Sequence, residues 1–173
     1  MMLEIALDAD EEWDSSSSAE PIAWDKLARS AAEAAIAESA FPQLTSAKRP
    51  IELSVRLTSD EQVRLLNAKW RGKDKPTNVL SFPMLDQQDL EEANVAGPEL
   101  LLGDIILARS VCEAEAASKG LPVEQHATHL LVHGTLHLLG YDHHEDDEAA
   151  DMEAREVRAL ERLGISNPYE GAA

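Results

Sequence analysis

Cysteine is nearly missing from this chain. Cys112 is the single one among 173 residues, so an internal disulfide is excluded. Placed in an expected helix from Arg109 to Ala117, it fits a small buried residue better than a reactive thiol. Aromatics are also scarce, at 4 %, while apolar residues reach an ordinary 44 %, so the core must be mainly aliphatic. Basic residues are few, 15 against 33 acids, giving a net charge of −18. A surface of that balance lacks the lysine and arginine from which polyanion affinity is drawn. Long hydrophobic runs are lacking too. None approaches the roughly 20 residues that cross a bilayer, and no positively charged start leads into an apolar stretch as in a signal peptide. A cytoplasmic protein without a membrane partner is expected.

The length suits one domain, 1–173, with a core of its own. Residues 2–7 alternate weakly and suggest a first strand. From Asp8 to Glu20 come six acids, four consecutive serines and no basic residue. Residues 9–20 are therefore expected to be a disordered acidic, serine-rich insertion. Alanine-rich sequence from Pro21 to about Ala40, with Ile22, Leu27, Ala31, Ala35 and Ile36, predicts an amphipathic helix. Ile51, Leu53, Val55 and Leu57 alternate with Glu52, Ser54 and Arg56, the period of a strand with one buried face. Ser59 and Gln62 then fit a capping box for a helix to about Trp70. Asn78 to Phe82 predicts a short strand, and Asp86 to Glu99, with five acids, an exposed loop. Leu101 to Leu107 predicts another strand. A helix carries Cys112, a second runs from Pro122 to about Leu139, and a third presents Met152, Val157, Leu160 and Leu163. The sum is an α/β (α+β) fold: a small mixed sheet of about four strands with about five helices, and no internal repeat.

The stretch richest in chemistry is His133-Gly134-Thr135-Leu136-His137-Leu138-Leu139-Gly140-Tyr141-Asp142-His143. Residues four apart share a helical face about 6 Å from one another, so His133 and His137 can close on one ion. Gly140 is the residue type that ends helices, and the reversal can swing His143 back. Three imidazoles with an open position are the catalytic zinc arrangement, whereas a structural site takes a fourth protein ligand. Three imidazoles also suit nickel, copper or iron.

The spacing HxxxHxxGxxH is that of the metzincin proteases, in which a glutamate after the first histidine is the general base. Gly134 stands there in this chain and moves no proton. The same stretch resembles, position by position, the H-G-x-x-H-L-x-G-Y-D-H signature of the YbeY endoribonuclease family. Leu66-Asn67 with Trp70 to Pro83 is similar to the family's second block, and Leu102-Gly103-Asp104-Ile105 to its third. The likeness spans roughly residues 50 to 165. It implies a zinc-dependent single-strand endoribonuclease that matures ribosomal RNA, at the 3′ end of the small-subunit species, and serves ribosome quality control. It further implies one zinc per chain on His133, His137 and His143, with ribosomal RNA or a ribosomal particle, and ribosome-associated proteins, as partners. His143 is preferred over His144 because it completes the family spacing, and His129, one turn before His133, is expected near the site or in the core.

Residues 64 to 75 soften the charge argument. Arg64, Lys69, Arg71, Lys73 and Lys75 put a third of all basic residues into twelve positions. Arg71 is the candidate catalytic residue, its planar fork matching two phosphate oxygens, and the family block carries an arginine there. Asp142 is a candidate to orient a ligand imidazole or to serve as a base, with a simple turn-stabilising role as the equal alternative. Asp104, polar within an apolar strand, is a further cleft candidate with an open role. Two competing functions remain: a ribosome-assembly adaptor with a structural metal, and a divergent metalloprotease.

Overall fold

Buried and open positions alternate along Ile51–Thr58, and this strand (β2) lies at the middle of a four-stranded sheet. The computed structural model describes residues 3–14 and 22–169. Strand β1 (Leu3–Ala9) pairs with β2 in parallel, β4 (Leu100–Ala108) pairs with β2 on its other side, also in parallel, and β3 (Val79–Pro83) closes the order β1-β2-β4-β3 as an antiparallel edge. The sheet is mixed, as expected. Register fixes which face each side chain takes: Ser54 and Asp104 are partners on one face, Val55 and Ile105 on the other.

Five helices of eleven residues or more accompany the sheet among the described residues. They are α2 (Trp24–Ala37), α3 (Asp60–Arg71), α5 (Arg109–Lys119), α6 (Val123–Leu138) and α7 (Asp146–Arg162). The main core, including Leu53, Val55, Ile105, Leu131, Leu136 and Leu160, joins one sheet face to α2, α6 and α7. A small second cluster, Val63, Leu80, Ile106 and Ala108, fixes α3 to the opposite face. Ser59 caps α3, its hydroxyl accepting from the Gln62 N–H at 3.2 Å. Among the described residues no helix is long and apolar enough to cross a membrane.

Two expected loops prove partly ordered. Within residues 9–20, Glu11–Asp14 forms a helical turn (α1), and Trp13 is fully buried. The Trp13 indole N–H donates to the Thr58 carbonyl at 3.0 Å, its ring meets Trp24 edge-on at 5.1 Å, and the Arg109 guanidinium lies over it at 5.1 Å. One large aromatic thus outweighs its acidic neighbours, because its apolar area is worth more buried than theirs costs to leave in water. Residues 15–20 of that expectation lie outside the described residues. Within residues 86–99, Gln87–Glu91 forms a short helix (α4) under a reciprocal Asp86–Asp89 capping box, followed by a 3₁₀ turn, Glu92–Asn94. Leu90 and Ala93 are buried there, so the acids form the wet side of a covering segment.

Candidate metal centre

Helix α6 is hydrophobic nearly all round, with Leu130, Leu131, Val132, Leu136 and Leu138 buried. Towards its C-terminal end it lines a cleft beside β3, and there His133 and His137 emerge. Their Nε2 atoms converge at 3.0 Å. Beyond Leu138 the chain reverses at Gly140, whose φ of 97° is left-handed backbone that glycine adopts freely. Tyr141 anchors the reversal. Its N–H donates to the Leu136 carbonyl, its hydroxyl accepts from the Ala40 N–H at 2.8 Å, and Arg155 lies over its ring at 4.9 Å. His143 is thereby returned to the helix end, and one ligand nitrogen from each of His133, His137 and His143 lies within 4.8 Å of the others. The spacing argument and the folded arrangement coincide on these three rings.

What fixes the rings lies on their far sides. The His137 Nδ1–H donates to the Tyr141 carbonyl at 2.8 Å. The His133 Nδ1–H donates to the Glu156 carboxylate at 2.7 Å. With a hydrogen on each Nδ1, both Nε2 atoms present lone pairs to each other, an arrangement that favours a cation between them. Burial, and next the neighbouring His133, hold the His137 imidazole down at about 4, so it is neutral near pH 7. Two ligands about 2.0–2.1 Å from a tetrahedral ion sit roughly 3.3 Å apart, close to the spacing found. The donor set therefore fits a zinc ion, with His143, more exposed, completing the three.

Glu156 is the residue touching this cluster that the motif did not contain. It comes from α7, is 1 % exposed, and also meets His129 Nε2 at 3.3 Å and the Tyr169 hydroxyl at 2.8 Å. Burial alone would raise its carboxyl, but the hydrogen bonds from His129 and His133 outweigh it and bring it down to about 2. A signal was available: Glu156 lies four residues from both Met152 and Leu160, on the apolar stripe of its helix. Of the roles open to Asp142, the contacts favour the turn-stabilising one. It accepts from the His143 backbone N–H at 2.8 Å and pairs with His144 at 2.9 Å, while His143 Nδ1 stays 3.9 Å away. It shapes the turn, because a side chain adjacent in sequence cannot easily reach round to the ring beside it.

The cleft has a volume of about 600 Å³, and its second wall is basic. Arg71 and Lys73, at the end of α3, face the histidines across Val79, Ser81 and Pro83 of β3. No hydrogen bond or ion pair engages the Arg71 guanidinium among the described residues. The basic block is divided by the fold: Arg64 is spent on Glu61 and Asp74, and the Lys69 ammonium lies 5.1 Å over the Trp70 ring. Asp104 is not in this cleft. Strand alternation turns Ile105 to α6 and Asp104 to the opposite face, where Arg56, Trp70 and Met84 line a larger, mainly apolar hollow of about 830 Å³. Among the described residues that hollow holds no comparable group of metal-ligating side chains. Gly134 is explained by packing. A Cβ at that position would meet Ser81 Oγ at 3.0 Å and Ile105 Cγ2 at 3.1 Å. A side chain at this position would press on both β3 and β4.

Comparison with known proteins places the chain in a family. The family model Endoribonuclease YbeY matches residues 11–164. The chain belongs to the YbeY endoribonuclease family. A YbeY endoribonuclease of Rhizorhabdus wittichii is 53 % identical over 170 residues, 97 % of each chain, and that of Sphingopyxis alaskensis is 54 % identical over 147 residues, 84 % of this chain and 88 % of the relative. A solution structure, TM1509 from Thermotoga maritima, shares the fold with a TM-score of 0.50 at 20 % identity, covering 96 % of this chain and 99 % of that one. In this chain the three-histidine turn and the arginine-bearing block line one cleft.

Proposed function

We propose that this protein is a zinc-dependent, single-strand-specific endoribonuclease that matures ribosomal RNA at the small-subunit 3′ end and takes part in ribosome quality control. The observation that carries the reading is the opposition, across one cleft, of three converging imidazoles and an unpaired Arg71. Zinc, when bound by His133, His137 and His143, supplies Lewis-acid activation of the attacking water and polarises a phosphoryl oxygen. Arg71 binds the scissile phosphate through two of its oxygens and neutralises charge as it builds in the transition state. Lys73 adds a second positive charge along the strand's path. Ser81 and Thr77 line the same cleft with hydroxyls able to hold the RNA backbone. The net charge of −18 keeps free-standing RNA affinity modest, so docking on a ribosomal particle or a ribosome-associated protein supplies the rest. The cytoplasm is the matching compartment.

The acidic surface also favours a second reading, an assembly adaptor whose metal is structural. The two diverge on metal removal. Core residues such as Leu53, Ile105 and Leu131 pack together without the histidine cluster, so a catalytic site leaves the fold intact when emptied, and a structural one does not. The test is cleavage of a single-stranded RNA carrying the small-subunit 3′ precursor sequence, before chelation, after chelation and after zinc is restored. Loss and return of cleavage with unchanged circular dichroism supports the enzyme. Cleavage retained in a verified metal-free preparation overturns it.

A further inference from the structure

We infer that Tyr169 and Glu156 form a positioning device for the ligand His133, so that the segment following the last helix is an integral part of the metal centre. The inference rests on the metal-centre reading above and deepens it. Helix α7 ends at Arg162, Gly164 turns the chain with a φ of 75°, and Ile165 packs against the main core. The segment then returns along α6 to Tyr169, whose own N–H donates to Asn167 Oδ1 at 2.8 Å. The Tyr169 ring meets His129 edge-on at 5.4 Å, and its hydroxyl donates to Glu156 Oε2 at 2.8 Å.

This closes a ring of contacts. The His129 Nε2–H faces both Glu156 Oε1, at 3.3 Å, and the Tyr169 hydroxyl oxygen, at 3.2 Å. Both carboxylate oxygens are therefore engaged on their outer side, in a group 1 % exposed, and the carboxylate plane is fixed before His133 is considered. A fixed acceptor admits one His133 tautomer, hydrogen on Nδ1, and so keeps the Nε2 lone pair in the cleft. The His129 accounting agrees. With its hydrogen on Nε2, its Nδ1 is a bare acceptor, and that atom is buried without a partner. A group holding its neighbour at the cost of its own unsatisfied nitrogen fits a positioning role better than packing alone. Tyr169 itself is 43 % exposed, so its hydroxyl contributes orientation and little burial.

The decisive variants are Tyr169→Phe and Glu156→Gln, compared with wild type in three measurements. These are the His133 tautomer by ¹⁵N NMR of the metal-free protein, zinc affinity by competition with a chromophoric chelator, and the thermal midpoint of the metal-free form. Glu156→Gln replaces the carboxylate by a neutral amide, so the charge-assisted bond that holds the hydrogen on His133 Nδ1 is lost; the Nε2–H tautomer should become populated and zinc binding weaken about 10–100-fold. Tyr169→Phe should weaken it by up to about 10-fold with the midpoint nearly unchanged, and it remains informative if Glu156→Gln fails to fold. Wild-type tautomer and affinity in Tyr169→Phe would overturn the inference. So would an affinity loss that follows the midpoint down with the tautomer unmoved. A wild-type protein that takes up no zinc would instead overturn the proposed function, and the tautomer measurement would still decide the positioning role.

Discussion

His133 and His137 leave a buried helix with each outer ring nitrogen already engaged, whereas the exposed Arg71 and Lys73 of the same cleft have no side-chain hydrogen bond or ion pair among the described residues. The histidine wall is set in advance of any ligand: rings, tautomers and turn are held by Glu156, the Tyr141 carbonyl and Gly140. The basic wall is not, and in the proposed function a phosphate would complete its geometry. The difference teaches how the labour divides. A metal site must be rigid to select its ion and keep an open position. A phosphate clamp gains from staying solvated until the strand arrives, since long cationic side chains lose rotamer freedom only when they bind. The two walls should therefore fail independently.

The largest effect is expected at the rigid wall. His137→Ala should reduce zinc from about one per chain to under about a tenth, measured by elemental analysis. Helical content by circular dichroism should hold, because the buried leucines of α6 contribute about 1.5–3 kcal/mol each without the metal. Loss of the fold together with the metal would erase the contrast and favour a structural site.

Next in size is Gly134→Glu, which restores the metzincin pattern. The side chain would be driven into Ser81 and Ile105. Overpacking of this kind costs about 1–3 kcal/mol, and burying the carboxylate adds to it. A lower urea midpoint and no cleavage of a peptide library are expected; peptide hydrolysis by the stable variant would show that β3 does not occlude the position.

The basic wall should respond unevenly to charge removal. Lys73→Ala should lower RNA affinity a few-fold and reduce the slope of log affinity against log salt by about one. Lys69→Ala should change neither, since Lys69 sits over Trp70 and outside the cleft lining. Equal effects from both would mean that the sequence block acts as a whole. The smallest effect concerns Cys112, whose thiol burial pushes up to about 12. Iodoacetamide at pH 8 should leave the native protein unlabelled and react only as urea unfolds it.

The parts that were legible in the sequence share a cause: their signal is local. Ile51 to Leu57 alternate because one strand has one buried face, and the three histidines stand at a helix-and-turn spacing that brings their rings together at one helix end. The parts that were hidden depend on distant segments. Glu156 reaches His133 across 23 residues, and only its place on an apolar stripe betrays it. Trp13 sits in an acidic run, and nothing local says that Thr58 and Trp24 will bury it. Asp104 was drawn towards the cleft by its apolar neighbours, but strand alternation, once Ile105 packs on α6, sends it to the other face. Division of the basic block was only half legible: Glu61 and Arg64 are an i,i+3 helix pair, whereas Asp74 reaches Arg64 only in the folded chain.

The independence of the two walls is tested most directly by zinc content and RNA cleavage measured on one preparation of Arg71→Glu. The expected result is about one zinc per chain with cleavage reduced at least about 100-fold, the scale of losing a principal charge-stabilising group. Zinc lost together with cleavage, or cleavage at the wild-type rate, would contradict the account.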